Sequence, residues 1–422
     1  MKRYEHYSPV SSLLTKEIPS HWEMKRNRVF LRPKFVSVGQ DASKYPLLSL
    51  TTNGIVYRDV ESGKGKFPKD FDAYQVVAPN DIVFCLFDVD ETPRTVGLSS
   101  LNGMLTGAYD AFSIANTVNP RFIFYYYTAV DDIKALRPYY TGLRKVVKKD
   151  KFMAISIPLP SVDEQNKIVA YLDKKITLIE SCKCQREREL QTLNELKQAE
   201  IASVVTRGLN PNVPMKDSGI PWIGQIPAHW TMMRIKNLLE ESKVKSIDGH
   251  EQSLSLSKSA GVIPYEEKEN RTMQSASLVG AKVVQRGDVV FNRFKARLFA
   301  ISNYDGVVSP DYAVYKGKGR ANLNYLVSLF GTEMYRTAFD RKASGIGDGF
   351  SRLYTADLFS MYAIFPPIEE QNEIVKYIAL KTNQIDSMIE ALNAEIDRLT
   401  EYKQRLISDV VTGQLNVQDE IA

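Results

Sequence analysis

Basic and short polar side chains are the residues of this 422-residue sequence whose types and spacing best suit binding chemistry. Lysine and arginine neutralise phosphate groups, and Ser, Thr, Asn and Arg on loops can reach the edges of bases. Because basic groups recur in both halves of the sequence beside polar loops, they predict a polyanion-binding surface. The candidate residues are Thr51, Thr52, Asn53, Lys64, Lys66, Arg144, Lys145, Lys148, Ser257, Lys258, Arg293, Lys295, Arg297, Arg341, Lys342 and Arg352.

Catalytic motifs are missing from the sequence. It contains no GxxxxGK[ST] phosphate loop and no [DN]-P-P-[FYW] tetrapeptide of the kind amino-methyltransferases use. The Pro310-Asp311 pair could open a nuclease motif, but Glu401-Tyr402-Lys403 lies far away in a predicted helix. We therefore expect no catalytic residues and interpret the chain as a binding protein.

Metal binding is not expected either. His21 and His229 each precede a tryptophan at equivalent positions, which favours a structural role over catalysis. Cys182 and Cys184 lie in a predicted helix with no second ligand pair nearby, so a metal site there is disfavoured. Trp22, Trp222 and Trp230 are interpreted as anchors of domain cores.

Composition limits the class of protein. The sequence is 44% hydrophobic, which is enough to form cores, and its net charge of +5 permits a polyanion partner without requiring one. Three cysteines indicate a reducing compartment. No apolar run approaches the roughly 20 residues that span a bilayer, and the first residues lack a signal-peptide pattern.

The elements that position these residues follow from an internal repeat. Three phrases return after 206 to 208 residues, while the segments between them differ. A repeat this long is not a solenoid unit, so each half should hold one globular domain and one connecting element. The repeated phrases are IPSHW at 18–22 with IPAHW at 226–230, NDIVF at 80–84 with GDVVF at 287–291, and EQN at 164–166 with EQN at 370–372.

The connecting elements are predicted to be long helices. Ser161 and Glu164 form a capping-box pattern, and 44 residues without Gly or Pro follow from Asp163 to Thr206, or roughly 66 Å of helix. A second helix is expected from Glu369 to Thr412, where Gly413 ends it.

Apolar spacing close to a heptad repeat predicts that these helices pack on each other as an antiparallel coiled coil. Lys197 and Lys403 interrupt the two seams. A long helix that lies on its own domain is the alternative. The seam residues are Ile179, Leu190, Leu193, Val204, Ile385, Ile389, Leu392, Ile396, Leu399, Leu406 and Val410.

The regions between the repeated phrases alternate β-rich runs with turns, which predicts an α/β (α+β) fold. Four segments are expected. They are a first globular domain at 1–158, a first connecting helix at 159–208, a linker with a second globular domain at 209–366, and a second connecting helix with a C-terminal tail at 367–422.

These motifs resemble the specificity subunits of type I restriction–modification enzymes. The resemblance rests on PSVDEQNKIVAYL at 160–172, PIEEQNEIVKYI at 367–378, the inter-repeat phrase at 205–230 and VVTGQLNV at 410–417. It covers essentially the whole chain. One departure is that Ser11–Lys16 stands where the second half has Gly219–Gly224, which affects the expected closure of the N-terminal segment onto the C-terminal segment.

The resemblance implies two target-recognition domains, each reading half of a split site in double-stranded DNA, with a coiled coil as spacer. It also implies two methyltransferase (M) subunits docked on the helices, and restriction (R) subunits in the complex. S-adenosylmethionine, ATP and Mg are then expected on those partners, with no cofactor on this chain. A cytoplasmic, nucleoid-associated prokaryotic protein is expected.

Three alternatives differ in class. The chain could be a methyltransferase or nuclease itself, which the missing motifs disfavour. It could be a structural coiled-coil adaptor, in which case reversing the basic charges would leave function intact. It could also serve a related fused methyltransferase–nuclease system. Divergent halves predict an asymmetric target in the restriction–modification case.

Overall fold

The two long helices expected from the repeat are present in the computed structural model, which describes residues 2–58, 71, 73–258, 260–268, 277–294, 298–345 and 351–419. The first helix spans Val162–Arg207 and the second spans Ile368–Val411, each within a residue of the expected bounds. The chain folds into two units. Unit 1 is Met1–Glu187 with Asn393–Ala422, and unit 2 is Arg188–Leu392, so each unit takes part of both helices.

Unit 1 is built on a four-stranded antiparallel sheet of order β4-β11-β8-β9, in which Val83 pairs with Ala111. The pairs β1-β2, β3-β14, β5-β6, β7-β10 and β12-β13 complete it. Short 3₁₀ helices lie at Gly39–Lys44 and Arg137–Tyr139. The described elements are β1 (Tyr7–Pro9), β2 (Glu17–Pro19), β3 (Glu23–Arg26), α1 (Asn27–Phe30), β4 (Leu31–Lys34), β5 (Leu48–Thr51), β6 (Gly54–Tyr57), β7 (Tyr74–Val77), β8 (Ile82–Phe84), β9 (Val96–Leu98), β10 (Gly103–Thr106), β11 (Asp110–Ile114), α2 (Pro120–Asp132), β12 (Tyr140–Thr141), β13 (Val146–Val147), α3 (Lys149–Ala154), β14 (Ser156–Leu159) and α4 (Val162–Arg207).

Unit 2 repeats this topology strand for strand, with the sheet order β18-β25-β22-β23 and Val290 paired with Val314. Its strand pairs are β15-β16, β17-β28, β19-β20, β21-β24 and β26-β27. Its 3₁₀ helices lie at Ile235–Asn237 and Tyr265–Glu267. The described elements are β15 (Met215–Asp217), β16 (Gln225–Pro227), β17 (Thr231–Arg234), β18 (Leu239–Glu241), β19 (Leu254–Ser257), β20 (Gly261–Pro264), β21 (Lys282–Val284), β22 (Val289–Asn292), β23 (Phe299–Ile301), β24 (Gly306–Val308), β25 (Tyr312–Gly317), α5 (Leu323–Phe330), α6 (Glu333–Lys342), β26 (Ser344–Gly345), β27 (Ser351–Arg352), α7 (Thr355–Ser360), β28 (Tyr362–Phe365) and α8 (Ile368–Val411).

The repeated phrase around NDIVF and GDVVF forms the central strand of each sheet, which is buried on both faces. Ile82 and Phe84 contribute to the aromatic core under α2, whereas Val83 belongs to a second apolar cluster with Leu48 and Leu105. A strand covered on both sides needs a continuous apolar run, and this explains why three hydrophobic residues follow one another. In unit 2, Val290 likewise belongs to a separate cluster from its neighbours in the strand.

The long helices pair in antiparallel fashion within each unit. In unit 1, Lys403 Nζ lies 2.7 Å from Glu180 Oε1, and Arg186 Nε lies 3.0 Å from Glu395 Oε1, so residue numbers rise on one helix as they fall on the other. In unit 2, Lys197 Nζ lies 2.6 Å from Asp386 Oδ1. All the predicted seam residues are buried or partly buried. The expected α/β fold with an internal repeat and an antiparallel helix pair is confirmed.

The two lysines that interrupt the apolar seams are therefore bridging residues. Lys197 and Lys403 occupy equivalent repeat positions, and each reaches a carboxylate on the opposite helix of its own unit. A lysine buries its aliphatic stem beside the apolar seam while its ammonium group pairs at the edge.

One detail of the predicted helix start is corrected. Ser161 Oγ accepts a hydrogen bond from the Glu164 N–H at 3.3 Å, as in a capping box. The Glu164 carboxylate does not return to the Ser161 backbone. It accepts hydrogen bonds from Trp22 and Tyr4 instead, because a carboxylate with two buried donors in reach gains more there than at an exposed helix end.

The sequence departure at Ser11–Lys16 does not change the local topology. This segment connects β1 to β2, and Gly219–Gly224 lies in the connection of the equivalent β15-β16 hairpin, which has the same length. The expected closure is present in unit 1, where Asn416 N donates to Lys2 O at 2.9 Å and Tyr7 OH donates to Gly413 O at 2.6 Å. Among the described residues, no helix has an apolar stretch that could cross a bilayer.

The Glu180–Lys403 pair makes a prediction about pH. The hydrogen bond from Lys403 lowers the pKa of the Glu180 carboxyl, so the pair stabilises unit 1 above the unfolded pKa of about 4.3 and loses its effect as pH falls below it. We expect Glu180→Gln to lower the free energy of unfolding at pH 7 by about 0.5 kcal/mol, because the pair is half exposed. The difference from the unmutated chain should disappear at an acidic pH below the lowered folded-state pKa of Glu180.

Urea unfolding at both pH values measures this effect. Glu187→Gln is the matched control, because Glu187 is an exposed glutamate on the same helix with no ion pair to a described residue. Equal effects of the two substitutions at pH 7 would contradict the prediction.

Candidate nucleic-acid interface

The EQN motif attaches each long helix to the β-rich part of its own unit. In unit 1, the buried Glu164 carboxylate accepts hydrogen bonds from Trp22 Nε1 at 3.1 Å and Tyr4 OH at 2.6 Å, and His21 Nε2 lies 3.0 Å from it. In unit 2, Glu370 makes the same contacts with Trp230 Nε1 at 3.2 Å and His229 Nε2 at 2.8 Å. Both repeated phrases, EQN and P-x-H-W, thus meet at one carboxylate.

The glutamine and asparagine of the EQN motif bind the N-cap residue of α2, the helix that follows β11. Gln165 Nε2 donates to Pro160 O at 2.8 Å, and its Oε1 accepts from the Asn119 N–H at 2.8 Å. Asn119 caps α2, and its side chain also bonds Asn166 at 2.7 Å. Because Asn119 is held on both sides, the position of α2 is fixed relative to the start of α4.

Unit 2 makes the same set of bonds. Gln371 donates to Pro366 O and accepts from the Asn322 N–H, both at 2.8 Å, and Asn322 Nδ2 donates to Asn372 at 2.8 Å. Asn322 caps α5. Sequence reasoning missed Asn119 and Asn322, since their separation of 203 residues departs from the repeat frame and a lone asparagine carries little signal.

Two of the predicted polar loops occupy equivalent hairpin turns. Thr52 and Asn53 are exposed at the turn between β5 and β6, where the Thr51 hydroxyl donates to Gly54 O at 2.9 Å. Ser257 and Lys258 occupy the corresponding turn between β19 and β20, and Lys258 is exposed. The structure therefore presents different polar side chains from the same place in each unit.

The first basic cluster lies on the β12-β13 hairpin and at the start of α3. Arg144 is exposed at the hairpin turn, where its carbonyl accepts from the Asp88 N–H at 2.8 Å. Lys145 has a positive φ of 45° and pairs with Glu91 at 3.0 Å, and that hydrogen bond raises the pKa of Lys145. Lys148 is exposed at the N-cap of α3. Arg144 and Lys148 remain available to a polyanion, whereas the charge of Lys145 is largely compensated.

The basic residues of unit 2 are distributed differently. Arg293 is mostly buried and pairs with Glu241, which also receives Lys282 Nζ at 3.2 Å. Burial, together with the nearby charge of Arg293, lowers the pKa of Lys282. Arg293 therefore already has a carboxylate partner within unit 2, and its contact with a polyanion stays a prediction.

The other candidates fall into two groups. Arg341 and Lys342 are exposed in the last turn of α6, and Arg352 lies on β27 beside two aromatic rings. Four candidates lie outside the described residues, namely Lys64, Lys66, Lys295 and Arg297.

His21 and His229 each contact a glutamate at the start of a long helix, and Cys182 and Cys184 lie on α4. Both candidate histidines bind the EQN glutamate of their own unit, which is a structural role. Cys182 and Cys184 are free, and the described part of the chain contains no group of three or more His, Cys, Asp or Glu side chains placed to hold a metal ion.

Comparison with known proteins agrees with this geometry. Residues 52–192 match the type I restriction modification DNA specificity domain. The resemblance predicted from the sequence is thereby confirmed. The match begins at the β5-β6 turn and extends into α4, so it includes the polar turn, the basic hairpin and the EQN motif of unit 1.

Two specificity subunits are similar to much of the chain. The putative type I restriction enzyme MjaX specificity subunit of Methanocaldococcus jannaschii is 25% identical over 64% of this chain, and the alignment spans only 62% of that relative. The type I restriction enzyme EcoDI specificity subunit of Escherichia coli is 22% identical over 74% of this chain and 75% of the relative.

A solved structure shows the same fold. A chain described under "Structural basis underlying complex assembly and conformational transition of the type I R-M system" superposes with a TM-score of 0.65 at 15% identity, covering 94% of this chain and 99% of that chain. At this identity the likeness establishes the fold.

Arg144 provides a test of the interface. Arg144→Ala should weaken binding to every duplex by a similar factor, and it should reduce the slope of log K against log salt concentration by about 1, because one phosphate contact is lost. Titration of fluorescent duplexes at several salt concentrations measures both quantities.

Lys25→Ala is the matched control, since Lys25 is a partly exposed cation of unit 1 that already pairs with Glu23 at 2.9 Å. It should leave the slope unchanged. An unchanged slope for Arg144→Ala, or an equal change for both variants, would remove Arg144 from the interface.

The EQN attachment makes a prediction about stability. Glu164→Ala should lower the free energy of unfolding by about 3 kcal/mol, because it leaves the buried Trp22 N–H without its acceptor. Denaturant unfolding followed by tryptophan fluorescence measures the change.

Asp163→Ala is its control. Asp163 is the exposed neighbour of Glu164 in the first turn of α4, and its loss should cost about 0.5 kcal/mol or less. Similar losses for the two variants would mean that the Glu164 network does not hold the helix start.

Proposed function

We propose that this chain is the DNA-specificity subunit of a type I restriction–modification complex and that each unit reads one half of a bipartite DNA site. The observation that carries the proposal is the repeat of one scaffold with different surface residues. Unit 2 copies the strand order and the EQN attachments of unit 1, while its turns and hairpins present other side chains. Two units that share one fold but differ in their surface residues are suited to binding two different DNA sequences.

The proposed site is asymmetric. The turn that presents Thr52 and Asn53 in unit 1 presents Lys258 in unit 2, and these side chains offer different donors and acceptors to base edges. The exposed cations Arg144, Lys148 and Arg341 would contact phosphates, which positions each unit on the duplex without selecting a sequence.

The chemistry is proposed to belong to partner subunits. Methyltransferase subunits, two of them in this proposal, would supply S-adenosylmethionine and flip out the target base. Restriction subunits would bring ATP, Mg and cleavage. The chain itself would bind no cofactor and catalyse no reaction, because it contributes recognition only. A role on genomic DNA places it in the cytoplasm at the nucleoid.

The proposal predicts the outcome of a selection experiment. The full chain, purified with its methyltransferase subunits, should enrich a bipartite motif from a random duplex library, with two short unequal half-sites separated by a gap of unselected bases. Sequencing of the bound fraction at a fixed salt concentration measures the motif.

Two controls accompany the selection. The methyltransferase subunits without this chain should enrich no motif. The full chain alone with S-adenosylmethionine should methylate no DNA. A single contiguous motif, or enrichment without this chain, would contradict the proposal, and methylation by the isolated chain would favour an enzyme.

A further inference from the structure

Arg352 is held between two aromatic rings on the β26-β27 hairpin of unit 2. Its guanidinium carbon lies 5.3 Å from the centroid of the Phe294 ring and 5.5 Å from that of Tyr354. Stacking on aromatic faces restricts the orientation of an arginine side chain, so less freedom is lost when the guanidinium forms further bonds. Arg352 is therefore prepared for a directional contact.

The side-chain nitrogens of Arg352 have no hydrogen-bond partner in the described part of the chain. Its Nε is buried and makes no hydrogen bond, and the side chain is only partly buried. The contacts described for it are the two rings. With Nε turned into the protein, the terminal amino groups are the part of the fork that remains available to a ligand.

Among the described residues, no carboxylate forms an ion pair with Arg352. The nearby Glu241 already binds Arg293 and Lys282, and the Thr355 hydroxyl also lies beside Arg293. The charge of Arg352 acts on Lys282 as well, where it lowers the pKa of the amine further. Two cations thus share Glu241, and the additional positive charge of Arg352 favours a ligand that accepts hydrogen bonds.

A cavity of about 410 Å³ borders the same aromatic ring. Phe294 lines it together with Ser255, Asn292, Asp311 and Tyr312, which supply both donors and acceptors. A polar recess of this kind beside a stacked arginine suits the edge of a base better than a bare phosphate, which needs only charge.

Unit 1 lacks this arrangement. The residue equivalent to Phe294 is Phe87, which stacks on Tyr109 with ring centroids 6.0 Å apart and planes 10° apart. The residue equivalent to Arg352 is Val146. The same scaffold position thus carries an arginine in one unit only.

We propose that Arg352 is a specificity-determining residue that reads one guanine in the half-site bound by unit 2. Guanine presents two acceptors, O6 and N7, in the major groove, and the paired amino groups of an arginine match them better than they match any other base. This inference rests on the proposed function and assigns the base to one residue.

Library selection with Arg352→Gln in the full chain, assembled with the methyltransferase subunits, tests the assignment. We expect one guanine in one half-site to lose its preference, with roughly 10- to 100-fold lower affinity for the original motif. The other half-site should be unchanged. Arg320→Gln removes an exposed cation elsewhere in unit 2 and should leave the motif intact.

A base analogue provides the second measurement. Replacing the selected guanine by 7-deazaguanine removes the N7 acceptor, so it should weaken binding of the unmutated complex several-fold and leave binding of Arg352→Gln nearly unchanged. This measurement on the unmutated chain is decisive even if the variant folds poorly.

The outcomes separate the inference from the proposed function. No bipartite motif for the unmutated complex would contradict the proposed function. A bipartite motif that Arg352→Gln leaves intact, or weakens uniformly as a phosphate contact would, overturns the assignment of guanine to Arg352. Insensitivity of the unmutated complex to 7-deazaguanine overturns it as well.

Discussion

A hydrogen-bonded carboxylate at the start of each long helix is the constraint on which the rest of each unit depends, and it is buried in Glu164 and partly buried in Glu370. Burying a carboxylate away from water is costly unless hydrogen-bond donors surround it. Glu164 meets this condition only when Trp22, Tyr4 and His21 converge on it, and Glu370 only when Trp230 and His229 do. The helix start and the strands that follow the P-x-H-W phrase are therefore fixed together.

The glutamine and asparagine of the EQN motif extend this constraint to one further helix in each unit. They hold the N-cap asparagine of α2 in unit 1 and of α5 in unit 2. Between these attachments lies a sheet whose central strand is buried on both faces, so its residues are restricted by packing. The hairpin turns lie outside both sets of contacts, and they present different side chains in the two units.

The basic residues of this protein fall into those that form ion pairs within a unit and those that are exposed. Lys197 and Lys403 bridge the paired helices, and Arg293 is neutralised by a carboxylate within unit 2. Arg144, Lys148 and Arg341 are exposed without such partners among the described residues. A run of basic residues in the sequence overstates the charge that is available to a polyanion, because some of these residues form ion pairs within the folded protein.

The sequence by itself determined the repeat, both long helices within a residue, their antiparallel pairing and the family resemblance. These features are local or periodic, since an apolar heptad and a helix without Gly or Pro depend on residues close in the chain. The EQN motif was also visible as a repeated phrase. Its role was not, because Glu164 and Trp22 are 142 residues apart and only the fold brings them together.

Tertiary structure alone decided which candidate residues are exposed and which are paired within the protein. Arg144 and Arg293 look alike in the sequence, yet one is exposed on a turn and the other is mostly buried against Glu241. Arg352 gains its stacked position from Phe294, which lies just after β22 and is distant from Arg352 in the sequence. Burial and partners arise from contacts between distant segments, and spacing along one sequence does not specify them.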